Sequence, residues 1–82
     1  MTHLFNFSKE YFESIMHGER NFILTKRDRP YKVGDEIVIQ EQDEKLNLTS
    51  DELRYRINFI DNGDGLKSNY CIIGFKPLNH AN

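Results

Sequence analysis

One short stretch of the sequence repeats its apolar residues with the spacing of an α-helix, and the residues after it follow the spacing of β-strands. The helical stretch runs from Lys9 to His17. Ser8 before it is a typical N-cap, and Phe7 and Phe12 have the spacing of a hydrophobic staple. Gly18 supplies a left-handed helix stop. We therefore expect one N-terminal helix whose apolar stripe faces the core: Tyr11, Phe12, Ile15 and Met16.

The apolar residues outside this helix favour strands, because they are β-branched or aromatic and often alternate with polar ones. Four strands are predicted at residues 21–25, 36–41, 53–59 and 70–76. The apolar stretch Leu4–Phe7 predicts a further strand or an extended entry segment. Within residues 53–59, one predicted face consists of Leu53, Tyr55, Ile57 and Phe59. Residues 42–51 are predicted to form an exposed polar excursion, and residues 62–65 a turn.

One helix combined with four or five short strands predicts an α+β fold in a single domain. The expected architecture is a small, mostly antiparallel β-barrel of about five strands, closed or half-closed, with the helix packed at one end. Closure would also remove exposed strand edges. Of the 82 residues, 1–78 are expected to form the domain and 79–82 a polar tail.

Composition excludes several classes of protein. A formal net charge of −2 excludes a globally basic nucleic-acid coat protein, but it does not exclude local basic patches. The single Cys71 cannot form an intramolecular disulfide and is too little sulfur for a thiolate zinc site. The three histidines are far apart and the 61–65 turn lacks the ligand pattern of a calcium loop, so we expect no metal and no cofactor. With no apolar run near 18 residues and no signal-peptide pattern, we expect a cytoplasmic protein and no membrane partner.

A basic segment in the first half of the chain is the most informative feature for function. Asp28 is its one acid, and Tyr31 is interleaved with its cations: Arg20, Lys26, Arg27, Arg29 and Lys32. Single-stranded nucleic acid is bound by grooves that combine such cations with a stacking aromatic ring. Arg54 and Arg56, on the solvent side of a predicted strand, would extend this surface, and Thr25 is a further candidate for its extension. From charge alone, a solvated loop and a nucleic-acid interface both stay open.

The segment from Gly18 to Asp35 resembles the central motif of the ASCH domain (activating signal cointegrator homology), which belongs to the PUA-like superfamily. Within it, the sequence is most similar to the small bacterial and phage branch DUF3850, whose typical pattern is GKKTFEIRKNDRDFKVGD. The residues identical in an ungapped alignment are Gly18, Phe22, Lys26, Asp28, Arg29, Lys32, Val33, Gly34 and Asp35. Residues 8–15 and 70–78 resemble the helix before the motif and the closing strand of that family.

This resemblance implies a PUA-like β-barrel and RNA, or another single-stranded nucleic acid, as partner. It also implies that residues 18–32 line a cleft between the helix and the barrel. Ile23 and Thr25 stand where the family pattern has Glu and Arg. Ile23 removes a hydrogen-bond acceptor, and Thr25 removes a bidentate contact to phosphate or base, so the binding chemistry is expected to differ from that of the family pattern.

Two alternatives to nucleic-acid binding follow from the same residues. The first is a protein-interaction module with an acidic partner. The second is a binder or amidohydrolase of nucleoside derivatives, because some ASCH relatives hydrolyse acetylated cytidine with a Lys, a Thr and a Glu. This chain has Glu19-Arg20-Asn21 at the early positions of that set. Arg20 is a poor general base near neutral pH and Asn21 has no hydroxyl, so we do not expect an enzyme.

Overall fold

The computed structural model describes residues 1–63, 65–66 and 68–78. The predicted tail over 79–82 lies outside the described residues, as does Asp64 of the predicted turn. The chain forms one helix and five strands, in the order β1 (Thr2–Ser8), α1 (Lys9–Met16), β2 (Phe22–Lys26), β3 (Glu36–Gln42), β4 (Leu48–Asp61) and β5 (Tyr70–Pro77).

The five strands form one curled sheet with the strand order β1-β3-β4-β5-β2. Strand β1 pairs with β3 in parallel, and the other three pairings are antiparallel. The result is a half-barrel, which agrees with the predicted small α+β barrel. The expectation that closure removes strand edges is wrong, since β1 and β2 each have one neighbour among the described strands. No helix in the described ranges is long and apolar enough to cross a membrane.

The helix begins and ends as its local sequence predicts. The Ser8 hydroxyl accepts a hydrogen bond from the Tyr11 N–H at 3.4 Å. At the other end Gly18 has a φ of 78°, and its N–H bonds the Ile15 carbonyl while the N–H of Glu19 bonds the Ser14 carbonyl. This is the Schellman pattern, which satisfies carbonyls that the helix leaves unpaired. Phe7 packs against the core cluster that contains Phe12, and it also stacks on Tyr11, as described with the site below.

The core fills the concave side of the sheet. Its most buried members are five isoleucines, each less than 2% exposed: Ile23, Ile37, Ile39, Ile57 and Ile73. Each such side chain contributes about 1.5–3 kcal/mol by leaving water. The helix adds Phe12 and Ile15 to the same cluster, and this contact holds it over one end of the half-barrel. Cys71 is buried there as well, as predicted for an inert core thiol.

A β-bulge in β4 changes which face Phe59 occupies. Ile57 pairs with Phe75 and Phe59 pairs with Gly74, so Asn58 is an extra residue opposite β5. The bulge reverses the alternation of side chains, and Phe59 is 48% exposed on the outer face. The prediction that Phe59 shares the buried face with Tyr55 and Ile57 is therefore wrong.

The β3–β4 connection is shorter than the predicted polar excursion of residues 42–51. Strand β3 continues to Gln42 and β4 begins at Leu48, so only residues 43–47 form the turn. The Asp43 carboxylate closes the turn by accepting the backbone N–H groups of Lys45 and Asn47, both at 2.9 Å. The polar composition predicted exposure correctly, but it gave no sign that the flanking residues would pair with each other.

Candidate functional site

The loop between β2 and β3 crosses one end of the half-barrel and is fastened to β1. The Arg29 guanidinium donates a hydrogen bond to the Leu4 carbonyl at 2.9 Å, on the outer edge of β1. The Asp35 carboxylate accepts hydrogen bonds from the His3 ring at 2.9 Å and from the Lys32 N–H at 3.1 Å. The hydrogen bond from His3 lowers the pKa of Asp35 below its ordinary value. These contacts fix the basic loop relative to the sheet.

A column of four aromatic rings runs from this loop to the helix. The ring centroids of Tyr31 and Phe5 are 6.1 Å apart, those of Phe5 and Phe7 are 6.0 Å apart, and those of Phe7 and Tyr11 are 4.1 Å apart. The planes of each pair lie within 19° of parallel. The column therefore connects the loop, β1 and α1.

Two of the predicted site arginines lie on aromatic rings. The Arg20 guanidinium is 4.5 Å from the Tyr11 ring centroid and 5.2 Å from that of Phe22. The Arg29 guanidinium is 5.1 Å from the Phe5 centroid. Arg20 thus joins the helix to the start of β2, and its buried Nε has no hydrogen-bond partner within the described part of the chain. Such cation–π contacts hold a guanidinium in place while keeping its charge.

The other three predicted cations of the basic segment are exposed: Lys26, Arg27 and Lys32. In the described ranges, no carboxylate lies within 4.0 Å of these cations or of Arg20 and Arg29. The five cations do not form a single cluster. Arg20 lies before β2, Lys26 is the last residue of β2, and the remaining three cations lie in the loop that follows. About 20 Å of extended chain therefore separates Arg20 from Lys26. They form a strip along β2 and its following loop.

Arg54 and Arg56, predicted as an extension of this surface, lie on β4 and are separated from β2 by β5. The Arg54 guanidinium is 3.3 Å from the Glu52 carboxylate and 3.8 Å from that of Glu36. Arg56 is 4.0 Å from Glu36 and donates to the Gly34 carbonyl at 2.7 Å. Both are therefore placed beside carboxylates, unlike the strip along β2.

Tyr31, predicted to stack on a base, is half-buried in the structure. Its ring packs edge-on against His3 at 4.8 Å and stacks with Phe5. Its buried hydroxyl has no hydrogen-bond partner of good geometry among the described residues. Burial raises the pKa of Tyr31, while neighbouring Thr25 and Arg29 act in the opposite direction. Tyr31 thus has a structural role under the loop in addition to any contact with a ligand.

Thr25 and Ile23, the two departures from the family pattern, belong to the inner face of β2. Ile23 is 1% exposed within the core, and Thr25 is half-buried opposite Cys71 on β5. Burial raises the pKa of the Cys71 thiol, which keeps it protonated. Ile23 and Cys71 make this region apolar, whereas a glutamate at position 23 would place a carboxylate in the core. Thr25 is therefore not part of the exposed basic strip.

Sequence reasoning missed the aromatic residues that hold Arg20. Phe22 is 39% exposed on the outer face of β2, and Tyr11 lies at the edge of the core. The position of Phe22 could have been predicted from the sequence, because side chains alternate along a strand. If Ile23 is buried, its neighbour Phe22 faces outward. No comparable signal connects Tyr11 with Arg20, since that contact depends on how α1 lies across the sheet.

Comparison with known protein families gives one match. A family model described as a domain of unknown function (DUF3850) matches residues 2–75. The match covers all five strands except the end of β5, and it includes the helix and the whole basic segment. No curated protein matches the sequence.

Proposed function

The chain belongs to the DUF3850 family, and we propose that it binds single-stranded nucleic acid along the basic strip of β2 and its following loop. The observation that carries this proposal is the contrast between two sets of cations. Arg54 and Arg56 lie beside Glu36 and Glu52. In the described residues, the strip has no carboxylate at ion-pair distance, although the chain as a whole has a net charge of −2. Leaving cations together without partners costs self-repulsion, which an anionic ligand would relieve.

The extended shape of the strip supports a single strand as ligand. Cations spread over about 20 Å follow the phosphates of an extended strand better than they surround one compact anion. Lys26, Arg27 and Lys32 supply exposed charges at one end. At the other end, the Arg20 guanidinium contacts the Tyr11 and Phe22 rings, and the exposed part of Phe22 offers a surface on which a base can stack.

RNA is proposed over DNA because of the resemblance of the motif to ASCH and PUA-like domains. In this reading, the opening between β1 and β2 is the cleft that the resemblance implies. Tyr31 and Arg29 lie at one end of that opening and Arg20 at the other. The aromatic column lines it with stacked rings, which is compatible with unpaired bases as neighbours.

Titration of labelled single-stranded RNA against the protein at increasing salt tests the proposal. If about three phosphates are neutralised, the logarithm of the binding constant should fall against the logarithm of salt concentration with a slope of about −2. Lys26→Glu combined with Lys32→Glu should weaken binding strongly, since both side chains are exposed and the fold does not depend on them.

A matched control is Lys9→Glu combined with Lys45→Glu, which makes the same change in net charge near α1 and the β3–β4 turn. This pair should leave RNA affinity nearly unchanged. Absence of binding at low salt would exclude the proposal, as would equal losses in the two double variants. Stronger binding of polyglutamate than of RNA would instead favour the alternative of an acidic protein partner.

A further inference from the structure

A cleft of about 700 Å³ lies between the start of α1 and the β3–β4 hairpin. It is lined by residues 8–10, residues 41–45 and Thr49. Its volume is within the range of small-molecule sites. The cleft lies at the Gln42 end of β3, whereas the basic loop joins this strand at Glu36. Because the strand is about 20 Å long, the cleft is separate from the basic loop.

Glu41 is the one buried acid among the described residues, with 9% of its surface exposed. It follows Ile37 and Ile39 on the concave face of β3. The Thr49 hydroxyl donates a hydrogen bond to Glu41 Oε1 at 2.8 Å. The second oxygen, Oε2, accepts no hydrogen bond from the described part of the chain, and protein atoms do not fully enclose it. Since Glu41 lines the cleft, Oε2 opens into it.

The charge of Glu41 is not balanced by a neighbouring cation. Lys9 and Lys45 also line the cleft, but in the described ranges neither lies within 4.0 Å of a carboxylate oxygen. Burying a carboxylate without a cationic partner is costly. The cleft has these two lysines against four acids: Glu10, Glu41, Asp43 and Glu44. A cationic ligand would therefore be stabilised here.

The arrangement of oxygens favours an ammonium group over other cations. Hard metal ions take several oxygen ligands, and the described residues contain no group of three His, Cys, Asp or Glu placed to hold a metal. A guanidinium binds a carboxylate best through both oxygens, but Oε1 of Glu41 already accepts the Thr49 hydroxyl. An ammonium is a compact point charge, which the single unoccupied oxygen Oε2 can hold.

We propose that this cleft binds a small organic amine, whose ammonium group donates to Glu41 Oε2. Thr49 is a positioning residue, because its hydroxyl holds the carboxylate in one orientation. The aliphatic part of the ligand packs against the methylene stems of Lys9 and Lys45. The inference does not depend on nucleic-acid binding, since none of the cations of the basic strip is among the residues that line the cleft.

Titration of the unmodified protein with n-butylamine near neutral pH, followed by nuclear magnetic resonance without nucleic acid, tests the proposal. The backbone amides of Gln42, Lys45 and Thr49 should shift together and reach saturation. The uncharged 1-butanol, which has the same chain length, should give no saturable shift. Butylguanidinium should bind more weakly than butylamine. Absence of saturable shifts with butylamine would overturn the proposal, as would equal binding of 1-butanol or tighter binding of butylguanidinium.

Glu41→Gln tests the anchoring residue. Glutamine keeps the shape of the side chain and an oxygen that accepts the Thr49 hydroxyl, but it removes the charge. This variant should weaken butylamine binding at least tenfold, because a charge-assisted hydrogen bond is lost. The matched control is Glu19→Gln, which makes the same charge change at an exposed residue beyond the other end of α1. Unchanged affinity in Glu41→Gln, or equal losses in the two variants, would overturn the proposal. The comparison of butylamine with 1-butanol uses the unmodified protein, so it holds independently of how the variants fold.

Discussion

Asp35 is the residue through which the basic loop is held to β1. Its carboxylate accepts hydrogen bonds from His3 and from the Lys32 backbone, and only 13% of its side chain is exposed. The lowered pKa of Asp35 means that the folded state favours the ionised carboxylate. Sequence reasoning used Asp35 only as part of a family motif, because its partner His3 lies 32 residues away.

Replacing Asp35 by Asn should change how stability depends on acid pH. Because the pKa of Asp35 is lowered in the folded state, its contribution is fully present above its ordinary value of 3.8. The contribution is lost as pH falls through the folded pKa. Urea unfolding from pH 7 to pH 2 should show Asp35→Asn less stable near neutrality, with the two proteins converging at the acid end. If the difference in unfolding free energy between the two proteins stayed constant down to pH 2, the lowered pKa of Asp35 would not be its cause.

Gly74 and Phe59 form a coupled pair across the bulge. The Phe59 ring lies where a Cβ at position 74 would be, so a side chain there would displace the ring. Gly74→Ala should therefore destabilise the protein by about 1 kcal/mol. In a Phe59→Ala background, the same change should be neutral or stabilising, because Ala restricts the unfolded chain. Urea unfolding of the unmodified protein, the two single variants and the double variant measures the coupling free energy. If the changes in unfolding free energy of the single variants simply add up in the double variant, the two residues are not coupled.

The helix is the element that the sequence predicts best. Its N-cap Ser8 and its stop at Gly18 act within one turn of the backbone they terminate, so their effect is readable locally. The orientation of side chains in strand β2 is also predicted by the sequence, because alternation places Ile23 on the buried face and Phe22 and Leu24 on the exposed face. The side-chain orientation at the end of β4 is not predicted by the sequence, since the bulge at Asn58 depends on how β5 pairs with β4.

Gly18→Ala should destabilise the protein through the helix end alone. A Cβ at position 18 meets no neighbouring atom, so the cost comes from the positive φ of 78°. We expect a loss of about 1 kcal/mol, which lowers the melting temperature of a domain of this size by about 4–8 °C. Gly65→Ala, also at positive φ with open space around it, provides a comparison in a loop. An unchanged melting temperature for Gly18→Ala would contradict the proposed role of the helix stop.

Over the whole molecule, the protection of backbone amides from hydrogen exchange should decrease from the middle of the sheet toward its two edges. Strands β3 and β4 pair on both sides, whereas β2 pairs only with β5 among the described strands. Hydrogen exchange of dilute protein should therefore show fast amides at Phe22, Leu24 and Lys26 and slower amides at Ile23 and Thr25. Equal rates for these two sets would contradict the assigned pairing.

The sequence by itself determined the helix and its two ends, the alternation in β2, and the segregation of the basic segment from most of the acids. These properties depend on residues within a few positions of each other, so local periodicity and capping chemistry are enough to predict them. Tertiary structure alone decided the parallel pairing of β1 with β3, the outward turn of Phe59 and the packing of Tyr31 against Phe5. It also decided which cations have carboxylate neighbours, because the distance between charges depends on how the strands assemble.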